Sequence, residues 1–183
     1  MVKRAIILFN LGGPDSPAAI QPFLFNLFKD RAIINLPNPM RWLLAKIISK
    51  RRTPTARKIY SELGGKSPLL ELTLDQGIAL ESQLNSQSKD EIKVFIAMRY
   101  WHPMSSETVI TVKKFNPEEI ILIPLYPQFS TATTGSSLQN WHQEAKKVGL
   151  TVPTKALCCY PTNINLVKAQ TDLLIKKLNK IKH

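Results

Sequence analysis

Four apolar runs, set apart by helix-patterned stretches, constrain this chain more than any other feature. Residues 5–9, 94–98 and 120–125 are nearly unbroken apolar runs of strand length, and residues 154–159 form a shorter fourth. Strands apolar at consecutive positions are buried on both faces, as in parallel sheets. Residues 105–115, 136–147 and 162–181 carry helical periodicity between and after the runs. Gly149 stops the second of these, and Leu166, Leu173, Leu174 and Leu178 line one side of the third. The stretch after the first run is longer. Asp15 or Ser16 can cap a helix in which Ile20, Phe23, Leu24, Leu27 and Phe28 recur at helical spacing. Pro37 and Pro39 break that pattern, and residues 40–48 form a second amphipathic segment. Pro54 opens a short helix ending near Leu63-Gly64-Gly65, and Ser67-Pro68 opens a longer one to about Leu84. Alternating strands and helices predict an α/β fold: a parallel four-stranded sheet with helices on both faces. Residues 1–183 form one unit, with a helical insertion at about 16–63.

A chain of 183 residues suits one domain, or one lobe of something larger. Its 25 Lys and Arg against 13 Asp and Glu leave +12. Such a surface can serve nucleic acid, anionic lipid or an anionic small molecule. Part of the excess belongs to solvated helix ends, Lys176-Lys177 and Lys180-Ile181-Lys182. No RNA-recognition signature, zinc-finger spacing or aromatic-interleaved basic ladder occurs, so no nucleic-acid partner is expected. Cys158 and Cys159 are adjacent and lack CxxC spacing; their place in the fourth run predicts buried thiols in a reducing compartment. No apolar stretch reaches membrane-spanning length, and the run after Met1-Val2-Lys3-Arg4 is too short for a signal-peptide core. A cytoplasmic protein is expected.

In open α/β sheets, ligands bind beyond the carboxyl ends of strands. The third run pours into Tyr126-Pro127-Gln128-Phe129-Ser130-Thr131-Ala132-Thr133-Thr134-Gly135-Ser136-Ser137, a junction crowded with hydroxyls. GxSxG is absent, so Gly135-Ser136-Ser137 reads as a turn and helix cap rather than a nucleophile elbow. Asn10-Leu11-Gly12-Gly13-Pro14 lacks dinucleotide-fingerprint spacing; it reads as a tight turn, or as close backbone approach to a flat ligand. Gly64-Gly65-Lys66-Ser67 lacks phosphate-loop spacing. Ser67 is a good helix cap there, and beside Arg51 and Arg52 it can contribute to a carboxylate site. Met98-Arg99-Tyr100-Trp101-His102-Pro103 puts a cation, a phenol, an indole and an imidazole at another strand end. A structural hydrogen bond is expected for His102. His102, His142 and His183 show no metal-ligand spacing. The segment 23–48 is unusually rich in bulky residues, Phe23, Phe25, Phe28, Met40, Trp42, Leu43, Leu44, Ile47 and Ile48, and some of them must be core. Some would form an apolar lip suited to an amphipathic ligand or a membrane surface.

Taken in order, these segments resemble ferrochelatase, which inserts ferrous iron into a porphyrin in the last stage of haem biosynthesis. The matching pieces are Leu8-Phe9-Asn10-Leu11-Gly12-Gly13-Pro14-Asp15, Phe23-Leu24 with Phe28-Lys29-Asp30, and Lys50-Arg51-Arg52-Thr53-Pro54. Tyr60, Gly64-Gly65-Lys66-Ser67-Pro68-Leu69, residues 98–103 and residues 126–137 complete them. The resemblance implies one lobe of a two-lobed chelatase-like fold, the amino-terminal one, with a porphyrin cleft between lobes. It implies that Leu11 contacts the macrocycle, that Arg52, Tyr60 and Ser67 lie near the propionates, and that Arg99 and Tyr100 lie near a polar floor. Porphyrin and ferrous iron are then substrates, and no tightly bound cofactor is implied.

Three departures qualify this. The family's Gly-Gly-Gly-Ser-Pro is Gly64-Gly65-Lys66-Ser67-Pro68 here. Thr131 stands where some members place an iron–sulfur-ligating Cys, so no cluster is expected. The family's metal-handling His, in a Ser-x-His segment, and its partner Glu lie beyond the end of this chain; none of His102, His142 or His183 matches that His. Pyrrole nitrogens must lose two protons per divalent metal, so a base is obligatory. The chain is therefore expected to be inactive alone and to need a carboxy-terminal lobe. The alternative is a porphyrin-binding or interaction lobe working with a separate carboxy-terminal polypeptide. A half-length chelatase closing by homodimerisation would need its metal histidines in this chain, which argues against it. Peripheral contact with the inner membrane face through the lip is a further expectation.

Overall fold

The structure, a computed structural model, describes residues 1–181; Lys182 and His183, both named above, lie outside the described residues. Four strands form one all-parallel sheet: β1 (Lys3–Asn10), β2 (Glu91–Met98), β3 (Glu119–Pro124) and β4 (Thr154–Ala156), in the order β2-β1-β3-β4. β1 is the apolar axis of the sheet. Its Ile7 sits opposite Phe95 of β2 and Leu122 of β3, and residues 5–9 are all buried.

Alternation along β1 assigns the two faces. Ala5, Ile7 and Phe9 pack with Val109 and Val112 of α4 (Ser105–Phe115) and with Trp141 and Ala145 of α5 (Ser136–Lys147). Phe9 and Trp141 meet edge to face at 5.7 Å, a contact worth about 1 kcal/mol beyond the area it buries. Ile6 and Leu8 face the other way, toward Leu80 and Leu84 of α3 (Leu69–Gln87). The sheet thus has helices on both faces, as the alternation predicts. At its amino edge Arg4 bridges Asp90 and Glu119, tying β1 to its neighbours on both sides.

The chain leaves β1 toward the α3 face and leaves β3 toward the α5 face. The carboxyl ends of β1 and β3 therefore flank a point where connections diverge, the usual position of a ligand crevice in open α/β sheets.

Two helices precede α3. They are α1 (Ile20–Phe28) and α2 (Asn38–Glu62), which pack against each other. α2 corrects one expectation, since Pro54 does not begin a new helix but lies inside a single 25-residue one. Proline there removes one helical donor. Pro54 is exposed, so the unpaired carbonyl one turn back can turn to water, and Thr53 Oγ1 donates to the Ser49 carbonyl at 2.7 Å.

A second correction concerns the cysteines. β4 ends at Ala156, and Cys158 and Cys159 are free and exposed in the segment beyond it. The apolar letters around them had suggested a longer buried strand. The sheet stays open there because β4 is exposed along its length. α6 (Ile164–Ile181) forms as predicted, yet none of its residues is buried; Leu173, Leu174 and Leu178 face solvent. No described helix is long and apolar enough to cross a membrane.

Candidate functional site

The loop after β1 is built by backbone pairing beyond the sheet. The Asn10 carbonyl accepts from Arg99 N and the Leu11 carbonyl from Tyr100 N, both at 2.9 Å, while the Phe9 carbonyl accepts from Leu125 N at 2.9 Å. Three strand ends are thereby locked side by side. Gly12 has φ +81°, and a Cβ there would sit 3.0 Å from Trp101 N. Only glycine accommodates both the angle and the approach. At Gly13 an added Cβ would collide with the Ser67 side chain. Ser67 N also donates to the Pro14 carbonyl at 2.8 Å, and Ser67 Oγ accepts from Leu69 N at 3.3 Å at the start of α3. Gly12 thus has the backbone angle that the tight-turn reading requires, whereas Ser67 stands one residue before the N-cap position of α3, which Pro68 occupies without a side-chain cap bond.

Asp30, just past α1, is the electrostatic hub of this edge. One carboxylate oxygen accepts from Arg99 Nη2 at 2.7 Å, Tyr100 Oη at 2.9 Å and Ser136 Oγ at 2.5 Å. The other accepts from Ala32 N at 2.8 Å. Arg99 Nε also donates to Ser136 Oγ at 2.7 Å, and the Asp30 side chain is only 7% exposed. Burial alone would raise its pKa. Hydrogen bonds from Ser136 and the Ala32 amide, the Arg99 charge and the Tyr100 hydroxyl outweigh that and hold the carboxyl below its usual range. Burial, with the Asp30 charge, drives the Tyr100 phenol well above its usual value. Three elements distant in sequence are thus clamped by one ionised carboxylate. Sequence reasoning gave Asp30 no role. Nothing local marks it, because its partners lie 69 to 106 residues away.

The six residues singled out from the sequence gather around one apolar cluster. Leu11, Tyr60 and Tyr100 pack with Ile20, Phe23 and Leu24, with Phe28 and Trp101 at its margin. Arg52 is exposed, its guanidinium 5.7 Å from the Phe28 ring centre. Ser67 joins through Gly13, and Arg99 through Asp30. Leu11, Tyr60 and Ser67 are partly exposed, whereas Tyr100 is buried and its hydroxyl is held by Asp30. Burial raises the Tyr60 phenol as well. His102 is not drawn in. Its ring nitrogen meets the Glu107 carboxylate at 2.9 Å on the surface, the structural pairing expected of it.

The hydroxyl-rich junction after β3 differs from its reading as a simple cap. Residues Thr131–Gly135 make one π-helical turn before α5, a form that often marks functional sites. Ser130, not Ser136, caps it, accepting from Thr133 N at 3.1 Å. Ser136 is turned inward to Asp30. The buried side-chain oxygens of Tyr126, Thr134 and Ser137 have no hydrogen-bond partner within the protein. Burial pushes the Tyr126 phenol up to about 12, against the opposing Arg99 charge.

Chemically, this edge offers an apolar wall, cations and hydroxyls. It offers no activated nucleophile, and the described residues hold no group of three metal-ligating side chains. Such an edge can position a flat apolar molecule bearing anionic groups. Fold and site together define an open parallel α/β lobe with an apolar, hydroxyl-rich edge at a switch point. A family model described as Ferrochelatase matches residues 3–183. A curated ferrochelatase of Wolbachia sp. subsp. Drosophila simulans is 57% identical over 96% of this chain and 56% of its own length. Those of Pelagibacter ubique and Rickettsia bellii are 54% and 52% identical, over 100% and 96% of this chain and 53% and 49% of their own lengths. The chain belongs to the ferrochelatase family, and it spans about half the length of the curated relatives it matches.

Proposed function

We propose that residues 1–183 supply the porphyrin-holding wall of a ferrochelatase, the enzyme that inserts ferrous iron into porphyrin to make haem. One observation carries the reading. Leu11, Tyr60, Tyr100, Phe28 and Trp101 share one cluster at the switch point, with Arg52 and Ser67 at its rim. A porphyrin is a large apolar plate with propionate anions at one side. Leu11 would meet the plate, Arg52, Tyr60 and Ser67 the propionates, and Arg99 and Tyr100 the polar floor. Guanidinium and hydroxyl groups are the donors that carboxylates require. Neither a tightly bound cofactor nor an iron–sulfur cluster is part of this reading; iron and porphyrin are substrates.

The base that accepts the pyrrole protons comes from outside residues 1–183 in this account. The uncovered faces of β4 and α6 are where the carboxy-terminal lobe docks. The helical pair at about residues 16–63 serves as the lip of the cleft. It carries nine Lys and Arg against Asp30 and Glu62, with Met40, Trp42, Leu43 and Ile47 exposed. A basic face with exposed apolar side chains suits peripheral contact with an anionic membrane at its cytoplasmic side. Iron insertion by purified chain tests the assignment. Turnover is expected only when the carboxy-terminal half is supplied, in one polypeptide or as a separate one. Insertion at enzymic rates by residues 1–183 alone would overturn the division of labour; no turnover with both halves present would overturn the assignment.

A further inference from the structure

Between the end of α1 and the start of α2 lies a cavity of about 370 Å³, lined by Arg31, Asn35, Leu36, Pro37, Asn38 and Arg41. It is separate from the cluster around Leu11 and Tyr60, and the ligand edge makes no use of it. Two guanidinium groups and two carboxamides converge there, and no carboxylate lines it. Neither arginine has an acidic partner among the described residues: Arg31 Nε reaches only Asn35 Oδ1 at 3.4 Å, and Arg41 donates to the Leu36 carbonyl at 2.8 Å and to Asn38 Oδ1 at 3.4 Å. Asp30, adjacent to Arg31 in the chain, is already committed to Arg99, Tyr100, Ser136 and the Ala32 amide. The Arg41 Nε is buried and has no acceptor in the protein. Positive charge without a counter-charge, beside an unfilled donor, describes an anion site.

The surroundings say which anion. Ile33, Met40, Trp42 and Leu43 stand exposed in the same segments that line the cavity. A freely diffusing phosphate needs no apolar rim. A phospholipid brings a phosphate together with acyl chains, and guanidinium groups pair with phosphate oxygens while apolar side chains enter the headgroup boundary. We propose that the Arg31–Arg41 cavity is a headgroup site that grips the phosphate of an anionic phospholipid as the α1–α2 pair lies on a membrane. This rests on the membrane contact proposed above and adds to it a defined site with defined donors.

Vesicle co-sedimentation of the full chain tests the idea, with phosphatidylglycerol mixed into phosphatidylcholine against phosphatidylcholine alone. The double variant Arg31→Gln/Arg41→Gln is compared with Lys89→Gln/Lys114→Gln, which removes the same charge from exposed positions at the opposite edge. The first pair is expected to weaken binding to the anionic vesicles about thirtyfold and the second less than about threefold, since distant surface charge is screened. Equal losses in both doubles would overturn the site and leave only diffuse attraction. Wild-type chain that ignores anionic vesicles would overturn the membrane contact itself, a distinguishable result. Two further arms separate lipid capture from misfolding and from soluble-anion binding. Circular dichroism must show both doubles folded, and inorganic phosphate at millimolar concentration should not displace the vesicles. Displacement by phosphate would assign the cavity to a soluble anion and overturn the lipid reading.

Discussion

Replacing Asp30 should unfold the ligand edge more than any other single change there. The carboxylate accepts three side-chain donors on one oxygen and a backbone amide on the other. In Asp30→Ala the Tyr100 hydroxyl, on a buried ring, keeps only a 3.4 Å contact to the Ala132 carbonyl. Arg99, 19% exposed, keeps Ser136 and some water. A buried pair broken on one side costs about 3–5 kcal/mol, and the partial hydration of Arg99 puts the expectation at about 3 kcal/mol. Asp30→Asn keeps one acceptor oxygen and should cost about 2 kcal/mol. Urea unfolding followed by tryptophan fluorescence measures this. With a slope of about 2 kcal/mol/M, the alanine variant should lose about 1.5 M in midpoint. The pH dependence has a definite sign. The folded-state pKa of Asp30 lies below its unfolded value of about 3.9. Its contribution is therefore complete above about pH 4 and is lost as pH falls through the depressed folded value. The gap between wild type and Asp30→Asn should be constant from pH 5 to 8 and shrink below about pH 4. A loss under 1 kcal/mol at neutral pH, with an unchanged slope, would refute the hub.

The contact between Gly13 and Ser67 should behave as a coupled pair. Gly13→Ala alone is expected to cost about 2 kcal/mol from steric overlap, and Ser67→Gly to recover at least half of it, read as an interaction term in a double-mutant cycle. Pro54→Ala should stabilise the chain by about 1 kcal/mol, because it restores a helical donor inside α2 at an exposed position; a lowered Tm would contradict the continuous helix.

The sheet was legible because its strands are written as apolar runs bounded by turn residues, and their alternation with helical segments implies parallel strands covered on both faces. The candidate edge was legible as a set of loops, because strand ends in this topology converge. What the letters hid was long-range or contextual. Pro54 reads as a breaker, yet tertiary packing of Ala45, Ser49 and Thr53 holds the helix through it. Cys158 and Cys159 sit in apolar letters but follow the last ladder contact of β4, so nothing covers them. Asp30 carries no local mark, since its role exists only once Arg99 and Ser136 are folded beside it. The apolar stripe of α6 was legible as a helix face, but sequence periodicity states only that a face wants covering, not what covers it.

The central claim is that these 183 residues present a wall for a porphyrin with its propionates at the Arg52 rim. Titration of the chain with a porphyrin dicarboxylate and with its dimethyl ester, followed by Soret absorbance and tryptophan quenching, tests it directly. The account predicts saturable one-to-one binding of the free acid, about tenfold weaker binding of the ester, and loss of that difference in Arg52→Ala. Equal affinity for acid and ester, unchanged by Arg52→Ala, or no saturable binding by the chain or by a full-length protein containing it, would contradict it.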